Sequence, residues 1–355
     1  MSGLCDAAAA GITAKGRVRP GKPIEQVVNA RVILLSHADD GHRAAYVDQF
    51  SRLLSERGVR TERRSRWRDC LHQRDPVLFL MIEEAFLGYV LTALYRAARG
   101  RRTVGLLFRG GEAVRGRSLR LWLKRLVLGA LKPVPSAQTL SITPFSVQPG
   151  LEKLADDWIY DPQLWDAHTG QSPADSAVTR EIEGRAAGRR VLASLGFQNV
   201  GKGTAVFCRL WLADPLVRSR WLFVCAGKAA ADVQADTDAF REAGGLLVDR
   251  HLTDEELLSL YGCADAVWAC YAPSYDQASG IFGRAWQFGV PVVVRAGSEV
   301  ERLAQALEHP ALALPWQGPG DVIADWSPPP HTEDAPAQDL GSHSQAVIYR
   351  ALGLP

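Results

Sequence analysis

Short apolar segments alternate with amphipathic segments along most of the chain, and this alternation constrains the fold more than any other feature. The apolar run at 32–35, for example, is followed by a polar loop and then by a helical pattern with apolar residues on one face. Buried strands that alternate with amphipathic helices are typical of parallel sheets covered by helices on both faces. We therefore predict an α/β fold built from doubly wound parallel sheets.

The alternation occurs in two series, separated by the segment 170–190, which has no apolar strand. A chain of 355 residues with 47% hydrophobic and 23% charged residues is long enough for two domains. We predict two Rossmann-like domains that face a central cleft. The expected organisation is a disordered lead-in at 1–30, an N-terminal domain at 31–175, a C-terminal domain at 185–312, a Pro-rich segment at 313–340 and a terminal helix at 341–355.

The charge is nearly balanced overall but uneven along the chain. The net charge of +2 gives no reason to expect a nucleic-acid partner, whereas the stretch from Arg52 to Lys132 is rich in arginine and poor in acids. Within it, the segment 115–133 carries basic residues together with apolar residues at helical spacing. Two interpretations stay open for this helix: peripheral contact with an anionic membrane surface, or packing of its apolar stripe on the sheet.

The cysteines and the apolar windows bear on the compartment. Six cysteines show no CxxC spacing, and most lie in apolar runs, so we expect buried free thiols in a reducing, cytoplasmic environment and no metal site. The N-terminus lacks the pattern of a signal peptide. The apolar window 76–102 approaches membrane-span length, but Glu83 and Glu84 lie in its middle. We predict a buried strand followed by a helix there, and no transmembrane segment.

The stretch "SYDQASGIFGRAWQFGVPVVVRAGSEV", from Ser274 to Val300, predicts a loop, a helix and a strand. Ser279 and Gly280 would open the helix, whose first N–H groups have no partner within the helix and can bind an anion. Gly289 would end it. Lys202, in "NVGKGTAV", precedes another predicted helix, where a cation is unfavourable unless an anion is present. Both features favour a phosphate ligand, although close helix packing would also explain the glycines.

Four motifs of the second half occur in the order found in one enzyme family. They are "GFQNVGKG", "LFVCAG", "TDEELLSLYGCAD" and "DQASGIFGRAWQFGVPVV". In this order they resemble the GT4 family of retaining GT-B glycosyltransferases, which bind a nucleotide-sugar donor between two Rossmann-like domains. The resemblance covers most of the C-terminal domain and extends weakly to the first loop of the N-terminal domain.

The resemblance implies a set of site residues and a metal-independent reaction without a cofactor. The implied donor-binding residues are Gly41, His42, Gly203, Gly227, Asp276, Ser279, Gly280 and Arg284. The implied catalytic residue is Lys202, and Arg109 and Glu84 are further catalytic candidates because each follows a predicted parallel strand at the edge where ligands bind. Three of these have structural alternatives that stay open: His42 as a surface histidine, Arg109 as the partner of Glu112, and Glu84 as a helix-capping acid.

The sequence also departs from the family pattern at the donor site. Phe197 stands where the family has an arginine for the diphosphate, so Lys202 is the remaining cation of that motif. The family's two glutamates fall on Asp276 and Arg284, and the guanidinium at the second position could contact phosphate instead.

We therefore expect a glycosyltransferase that moves a sugar from a nucleoside diphosphate to a saccharide acceptor, with a lipid-linked acceptor as one option, in bacterial polysaccharide biosynthesis. Two alternatives remain open: a sugar-nucleotide epimerase, which would bring paired carboxylates to the cleft, and a non-catalytic binding protein derived from a transferase. A dinucleotide-dependent oxidoreductase is disfavoured because "SHADDGHR" lacks the glycine fingerprint after the first strand.

Overall fold

The fold is known from a computed structural model, which describes residues 30–37, 41–165, 176–277, 279–316, 320–331 and 340–355. Two sheets, each with six strands in the described ranges, form two α/β domains, and every strand pair in them is parallel. The predicted fold class is thus confirmed. The predicted lead-in lies, except for residue 30, outside the described residues.

The N-terminal sheet has the strand order β2-β1-β3-β4-β5-β6. Its strands are Arg31–Leu35 (β1), Arg60–Arg64 (β2), Val77–Phe79 (β3), Thr103–Leu107 (β4), Ala137–Ser141 (β5) and Asp157–Trp158 (β6). The helices between them are Gly41–Ser55 (α1), Phe86–Ala97 (α2), Gly110–Arg115 (α3) and Leu119–Leu131 (α4). Single 3-10 turns lie at Trp67–Cys70, Pro149–Lys153 and Pro162–Leu164.

The C-terminal sheet has the order β12-β11-β10-β7-β8-β9. Its strands are Arg190–Leu195 (β7), Trp221–Ala226 (β8), Leu246–Val248 (β9), Ala266–Ala269 (β10), Val292–Arg295 (β11) and Ala311–Leu314 (β12). Its helices are Ala177–Ala186 (α5), Thr204–Ala213 (α6), Pro215–Arg220 (α7), Gln234–Glu242 (α8), Asp254–Cys263 (α9), Gly280–Gln287 (α10), Glu299–Ala306 (α11) and Gly320–Asp325 (α12). Single 3-10 turns lie at Ala231–Val233 and Pro273–Tyr275.

The last helix, Leu340–Leu352 (α13), returns to the N-terminal domain. Its buried residues Val347, Ile348 and Leu352 join the apolar cluster formed by β1 and α1, on one face of the N-terminal sheet. Residues of α2, α3 and α4 cover the other face. Strand β1 is apolar throughout after Arg31 because both of its faces are covered in this way. The chain therefore crosses between the domains twice.

Each sheet has a point where the order of its strands reverses. In the N-terminal sheet this point lies between β1 and β3, and in the C-terminal sheet it lies between β7 and β10. The loops that leave the carboxyl ends of the two strands diverge at such a point, and ligands of open α/β sheets bind in the crevice between them. The fold thus singles out the loops after β1, β3, β7 and β10.

The apolar window 76–102 folds as the predicted strand and helix, β3 and α2. Among the described residues, no helix is both long enough and apolar enough to cross a bilayer.

Arg96, on the last turn of α2, is fully buried and joins several segments of the N-terminal domain. Its guanidinium donates to one hydroxyl and four backbone carbonyls, which are Thr103 Oγ1 and the oxygens of Cys70, Gln73, Asp75 and Arg102. Burial lowers its pKa to about 10. These bonds join the end of α2 to the segment before β3 and to the start of β4.

We predict that Arg96→Met lowers the free energy of unfolding by about 3 kcal/mol, because several buried carbonyl oxygens lose their donor. The exposed Arg99, whose guanidinium lies over the Tyr95 ring, provides the matched control. Arg99→Met should change stability by less than about 1 kcal/mol. Urea unfolding of both variants measures the difference, and equal losses would contradict a tying role for Arg96.

Candidate functional site

The loop after β7, from Gly196 to Gly203, is held in place by a buried glutamine. The amide nitrogen of Gln198 donates to the backbone oxygens of Ser194 and Gly196, at 3.0 and 2.8 Å. Its amide oxygen accepts from the hydroxyls of Ser194 and Thr204, both at 2.9 Å. The glutamine therefore joins the end of β7 to the start of α6 and fixes the loop between them.

Lys202 lies on this loop, one residue before the N-cap of α6. Its backbone oxygen accepts from the Trp268 indole at 3.2 Å, and its N–H donates to Asn199 Oδ1 at 2.9 Å. The ammonium makes no hydrogen bond or ion pair with any described residue. Burial lowers the pKa of Lys202 to about 8. A half-buried cation without a protein anion is a ready site for an anionic ligand.

Two glycines of the predicted site allow close backbone contacts around the loop. Gly227, with φ of 136°, lies against Gly196, and a Cβ there would come within 2.0 Å of the Gly196 oxygen. Gly203, with φ of 76°, lies against Cys270, where a Cβ would approach its oxygen to 2.2 Å. The ends of β7, β8 and β10 can therefore converge because neither position carries a side chain.

Helix α10 begins at Gly280 with Ser279 as its N-cap. The Ser279 hydroxyl accepts from the Phe282 N–H at 3.1 Å and lies 2.5 Å from the Tyr271 hydroxyl. Tyr271 is buried, and burial raises its pKa above the ordinary value, so its hydroxyl is neutral. The N–H groups of Gly280 and Ile281 have no acceptor among the described residues. These two donors remain available to a ligand.

Gly196 brings Lys202 and the start of α10 together. A Cβ on Gly196 would lie 3.3 Å from the Lys202 Nζ and 3.5 Å from Cδ1 of Ile281. The ammonium and the N-terminus of α10 thus meet at the point where the strand order of the C-terminal sheet reverses. A free cation and unpaired N–H donors at one point form a site for a phosphate or diphosphate.

Two of the three positions that depart from the family pattern, Phe197 and Arg284, flank this site. Phe197 is half exposed on the same loop as Lys202. Arg284 lies one turn into α10, where its guanidinium donates to Gln287 Oε1 at 2.9 Å. Its guanidinium is therefore engaged along α10.

Asp276 connects the two domains. Its carboxylate pairs with Arg115 of the N-terminal domain at 2.7 Å and with Arg295 of its own domain at 3.2 Å, and it accepts from the Glu299 N–H at 2.8 Å. Arg115 also donates to the backbone oxygen of Asp276. In this structure the Asp276 carboxylate, which the sequence assigned to donor binding, is paired with Arg115 across the cleft.

Glu299 is a second buried carboxylate at the domain interface. Its Oε1 accepts from the Thr143 hydroxyl at 2.8 Å. Its buried Oε2 forms a long ion pair with Arg115 at 3.7 Å but accepts no hydrogen bond in the described part of the chain. Burial raises its pKa. With Ser279, Gly283 and Asp161 it lines a narrow cavity between the domains. Sequence reasoning missed Glu299, Thr143 and Arg115, because an acid in the first turn of a helix is an ordinary feature and no motif marks its partners.

The N-terminal residues of the predicted site lie near the other reversal point. Glu84 is exposed and lines a small pocket with Ser36 after β1, Leu80 after β3 and Tyr46 of α1. Gly41 and His42 lie in the first turn of α1, but their side chains are outside what the structure describes.

Arg109 follows β4, and its N–H donates to Glu83 Oε1 at 2.7 Å. Its exposed guanidinium makes no ion pair with Glu112 or any other described residue. The salt bridge considered as the structural alternative for Arg109 is therefore not formed in this structure.

Across the described ranges, no three His, Cys, Asp or Glu side chains cluster as metal ligands. This finding does not test whether the reaction needs a metal, so its metal independence remains a prediction. What the described residues do assemble is an anion site at the C-terminal reversal point, a small polar pocket at the N-terminal one, and an interdomain contact next to the anion site.

Comparisons with known proteins identify the fold. No family model matches the chain, and no curated protein matches it in sequence. Anabaena Alr3699/HepE, in complex with UDP and glucose, is 14% identical with a TM-score of 0.54; the match covers 91% of this chain and 95% of that one. S. aureus MnaA, in a structure with UDP, is 11% identical with a TM-score of 0.59 and coverages of 92% and 98%.

A Listeria monocytogenes protein described as a UDP-N-acetylglucosamine 2-epimerase is 11% identical, with a TM-score of 0.54 and coverages of 92% and 97%. At these identities the likeness concerns the fold. The chain therefore has the two-domain GT-B architecture of these proteins over nearly its whole length.

Proposed function

We propose that the protein is a retaining glycosyltransferase that takes a sugar from a UDP-sugar. The observation that carries this proposal is the convergence of the unpaired Lys202 ammonium with the free N–H donors of Gly280 and Ile281. This group suits a nucleoside diphosphate, and two solved structures with the same fold contain UDP. The choice of a GT4-like, retaining reaction rests on the order of the sequence motifs.

In the proposed reaction the bond between the sugar C1 and the diphosphate breaks. The acceptor hydroxyl bonds to C1 on the same face, and its proton passes to an oxygen of the departing diphosphate. Negative charge develops on the departing diphosphate. Lys202 and the N-terminus of α10 are aimed at that charge, and preorganised donors of this kind usually supply the largest share of catalysis. Gly203 and Gly227 let the loops approach the phosphates closely, and Asp276 and Arg284 border the donor.

The acceptor would enter from the N-terminal domain. Glu84 and Arg109 lie at the carboxyl ends of its sheet and are the candidates for acceptor binding or proton transfer. Gly41 and His42, at the start of α1, would close on the donor phosphate. We propose a saccharide acceptor carried on a lipid, and a role in bacterial polysaccharide biosynthesis on the cytoplasmic side of the membrane. The pathway and compartment follow from the family resemblance and the composition.

A sugar-nucleotide epimerase is the second candidate. It is favoured by the neighbouring carboxylates of Asp276 and Glu299 at the domain interface. Sequence reasoning named Asp276 but did not find the pair. It would change the configuration of the sugar without an acceptor. Incubation of the protein with UDP-sugars, followed by proton NMR, separates the candidates: an epimerised UDP-sugar formed without an acceptor would exclude the transferase, and binding of UDP without any turnover would identify a binding protein.

The first prediction from the proposed function concerns Lys202. UDP should stabilise the wild-type protein against heating, by about 2.7 kcal/mol at a hundred times its dissociation constant, and Lys202→Met should lose this stabilisation. The same variant should melt at a higher temperature than the wild type without nucleotide, because it lacks a charge that burial disfavours. Lys228→Met, at an exposed lysine paired with Asp249, is the matched control. Retained UDP binding in Lys202→Met would contradict the anion site.

The second prediction is a pH dependence of UDP binding. The free protein holds Lys202 with a pKa of about 8, and only the protonated ammonium attracts the diphosphate. The affinity should therefore be nearly constant around pH 7 and fall, by up to about tenfold per pH unit, as the pH rises above the pKa of the free protein. Calorimetric titration measures this, and Lys202→Arg should remove the fall because guanidinium stays charged. If the affinity of Lys202→Arg for UDP fell with pH as that of the wild type does, the titrating group would be another residue.

The third prediction restores a cation. Phe197→Arg should tighten UDP binding by about tenfold, since a second charge-assisted hydrogen bond to the diphosphate would form on the same loop. Val200→Arg, at a similarly exposed apolar position three residues further on, tests whether added charge alone is sufficient. Equal gains in both variants would show a general electrostatic effect and would not support a phosphate position at residue 197.

A further inference from the structure

Exposed apolar side chains concentrate on two helices of the N-terminal domain. Helix α2 exposes Leu87, Leu91 and Leu94, with Leu87 at 70% exposure. Helix α4 exposes four more, Leu119, Trp122, Leu123 and Leu126, with Leu119 at 72%. These seven are most of the large apolar residues that are exposed in the described part of the chain. Exposed apolar residues that concentrate in one region mark an interaction site more often than scattered ones do.

The two helices are neighbours. Both cover the same face of the N-terminal sheet, where Tyr89 of α2 and Leu128 of α4 belong to one buried cluster. Lys124 of α4 lies over the ring of Phe86 of α2, 5.6 Å from its centre, and pairs with Glu83 at 3.6 Å. We call the exposed leucines of α2 and the exposed apolar residues of α4, on these neighbouring helices, the leucine face.

The leucine face lies in the most basic part of the chain. Residues 86–135 contain nine arginines and two lysines but a single acid, Glu112. Arg117 and Arg120 are exposed and make no hydrogen bond or ion pair with any described residue. They flank the N-terminus of α4, whose first turn has no acid. Two cations there are unfavourable for the helix dipole unless an external anion joins them.

We propose that the leucine face docks the protein on a bilayer that contains anionic lipids. Its leucines and Trp122 would enter the region between headgroups and acyl chains, while Arg117 and Arg120 contact lipid phosphates. A second copy of the chain fits less well, because a symmetric contact through this face would place the two basic segments against each other. An exposed apolar surface bordered by the unpaired cations Arg117 and Arg120 matches an anionic membrane better than a neutral protein.

The location of the leucine face suits the proposed function. The inference rests on that function in one respect, which is that the acceptor is lipid-linked. Arg115, two residues before Arg117, contacts Asp276 across the cleft. The buried side of α4 contacts Glu83, which also accepts from the N–H of Arg109. The leucine face therefore begins close to the cleft, and a lipid-linked saccharide in the bilayer would enter the cleft from that edge.

Sedimentation with vesicles tests the proposal on the full-length protein. We expect binding to vesicles of phosphatidylcholine and phosphatidylglycerol, little binding to phosphatidylcholine alone, and weaker binding at high salt. Two variants, Leu87→Gln/Leu91→Gln and Leu119→Gln/Trp122→Gln, should each lower binding by about tenfold or more. Arg117→Gln/Arg120→Gln should lower it by about tenfold on anionic vesicles only.

Leu216→Gln/Val322→Gln, at exposed apolar positions of the C-terminal domain, should bind as the wild type does. Absence of wild-type binding to anionic vesicles, or equal binding by all variants, would overturn the proposal. A wild-type dimer that the leucine variants convert to monomers, with no vesicle binding, would overturn it in favour of a second copy. Vesicle binding is measured without nucleotide and UDP binding without vesicles, so a failure here and a failure of the proposed function are distinguishable.

Discussion

The parallel arrangement of both sheets is the constraint on which the rest of the structure depends. Strands buried on both faces are mostly apolar, so charged side chains collect in the loops at the strand ends. The carboxyl ends of parallel strands all lie at one edge of a sheet, and the reversal of strand order opens a crevice there. Lys202 follows β7 and Ser279 follows β10, the two strands that flank the reversal in the C-terminal sheet. The anion site is therefore a consequence of topology as much as of the residues that form it.

Two charged groups near the cleft are held in conditions that disfavour their charged forms. Burial lowers the pKa of Lys202 and raises the pKa of Glu299. Both shifts destabilise the nucleotide-free protein. At a pH where the group is charged in the unfolded chain, the folded protein disfavours that charge, and this difference lowers the free energy of unfolding. Such groups persist where a ligand or a movement completes their interactions. Lys202 lacks an anion in the described residues, and Glu299 Oε2 accepts no hydrogen bond there, although it forms an ion pair with Arg115 at 3.7 Å. The polar groups of the cleft are therefore incompletely satisfied in this structure.

The sequence predicts the fold well because its strongest signal, apolar strands between amphipathic helices, is local and repeated in both domains. It also predicts Lys202, Ser279 and Gly280, since each belongs to a short motif at a strand end. It could not predict the partners of Asp276. Arg115 lies 161 residues before it, and neither the acid nor the arginine belongs to a pattern that specifies the other. Likewise, the amphipathic pattern of α4 left membrane contact and core packing equally open, because only the structure shows which apolar positions remain exposed.

The contact between Arg115 and Asp276 makes the anion site depend on how the domains meet. Asp276 is three residues before Ser279, and its carboxylate also accepts from the Glu299 N–H at the start of α11. The loop that positions the N-terminus of α10 is thus held from the opposite domain by Arg115 and from its own domain by Arg295. Separation of the domains would remove the first of these contacts and leave the loop less constrained. Since donors stabilise a developing charge most when they are already in position, the geometry of the anion site is best defined when the cleft is closed.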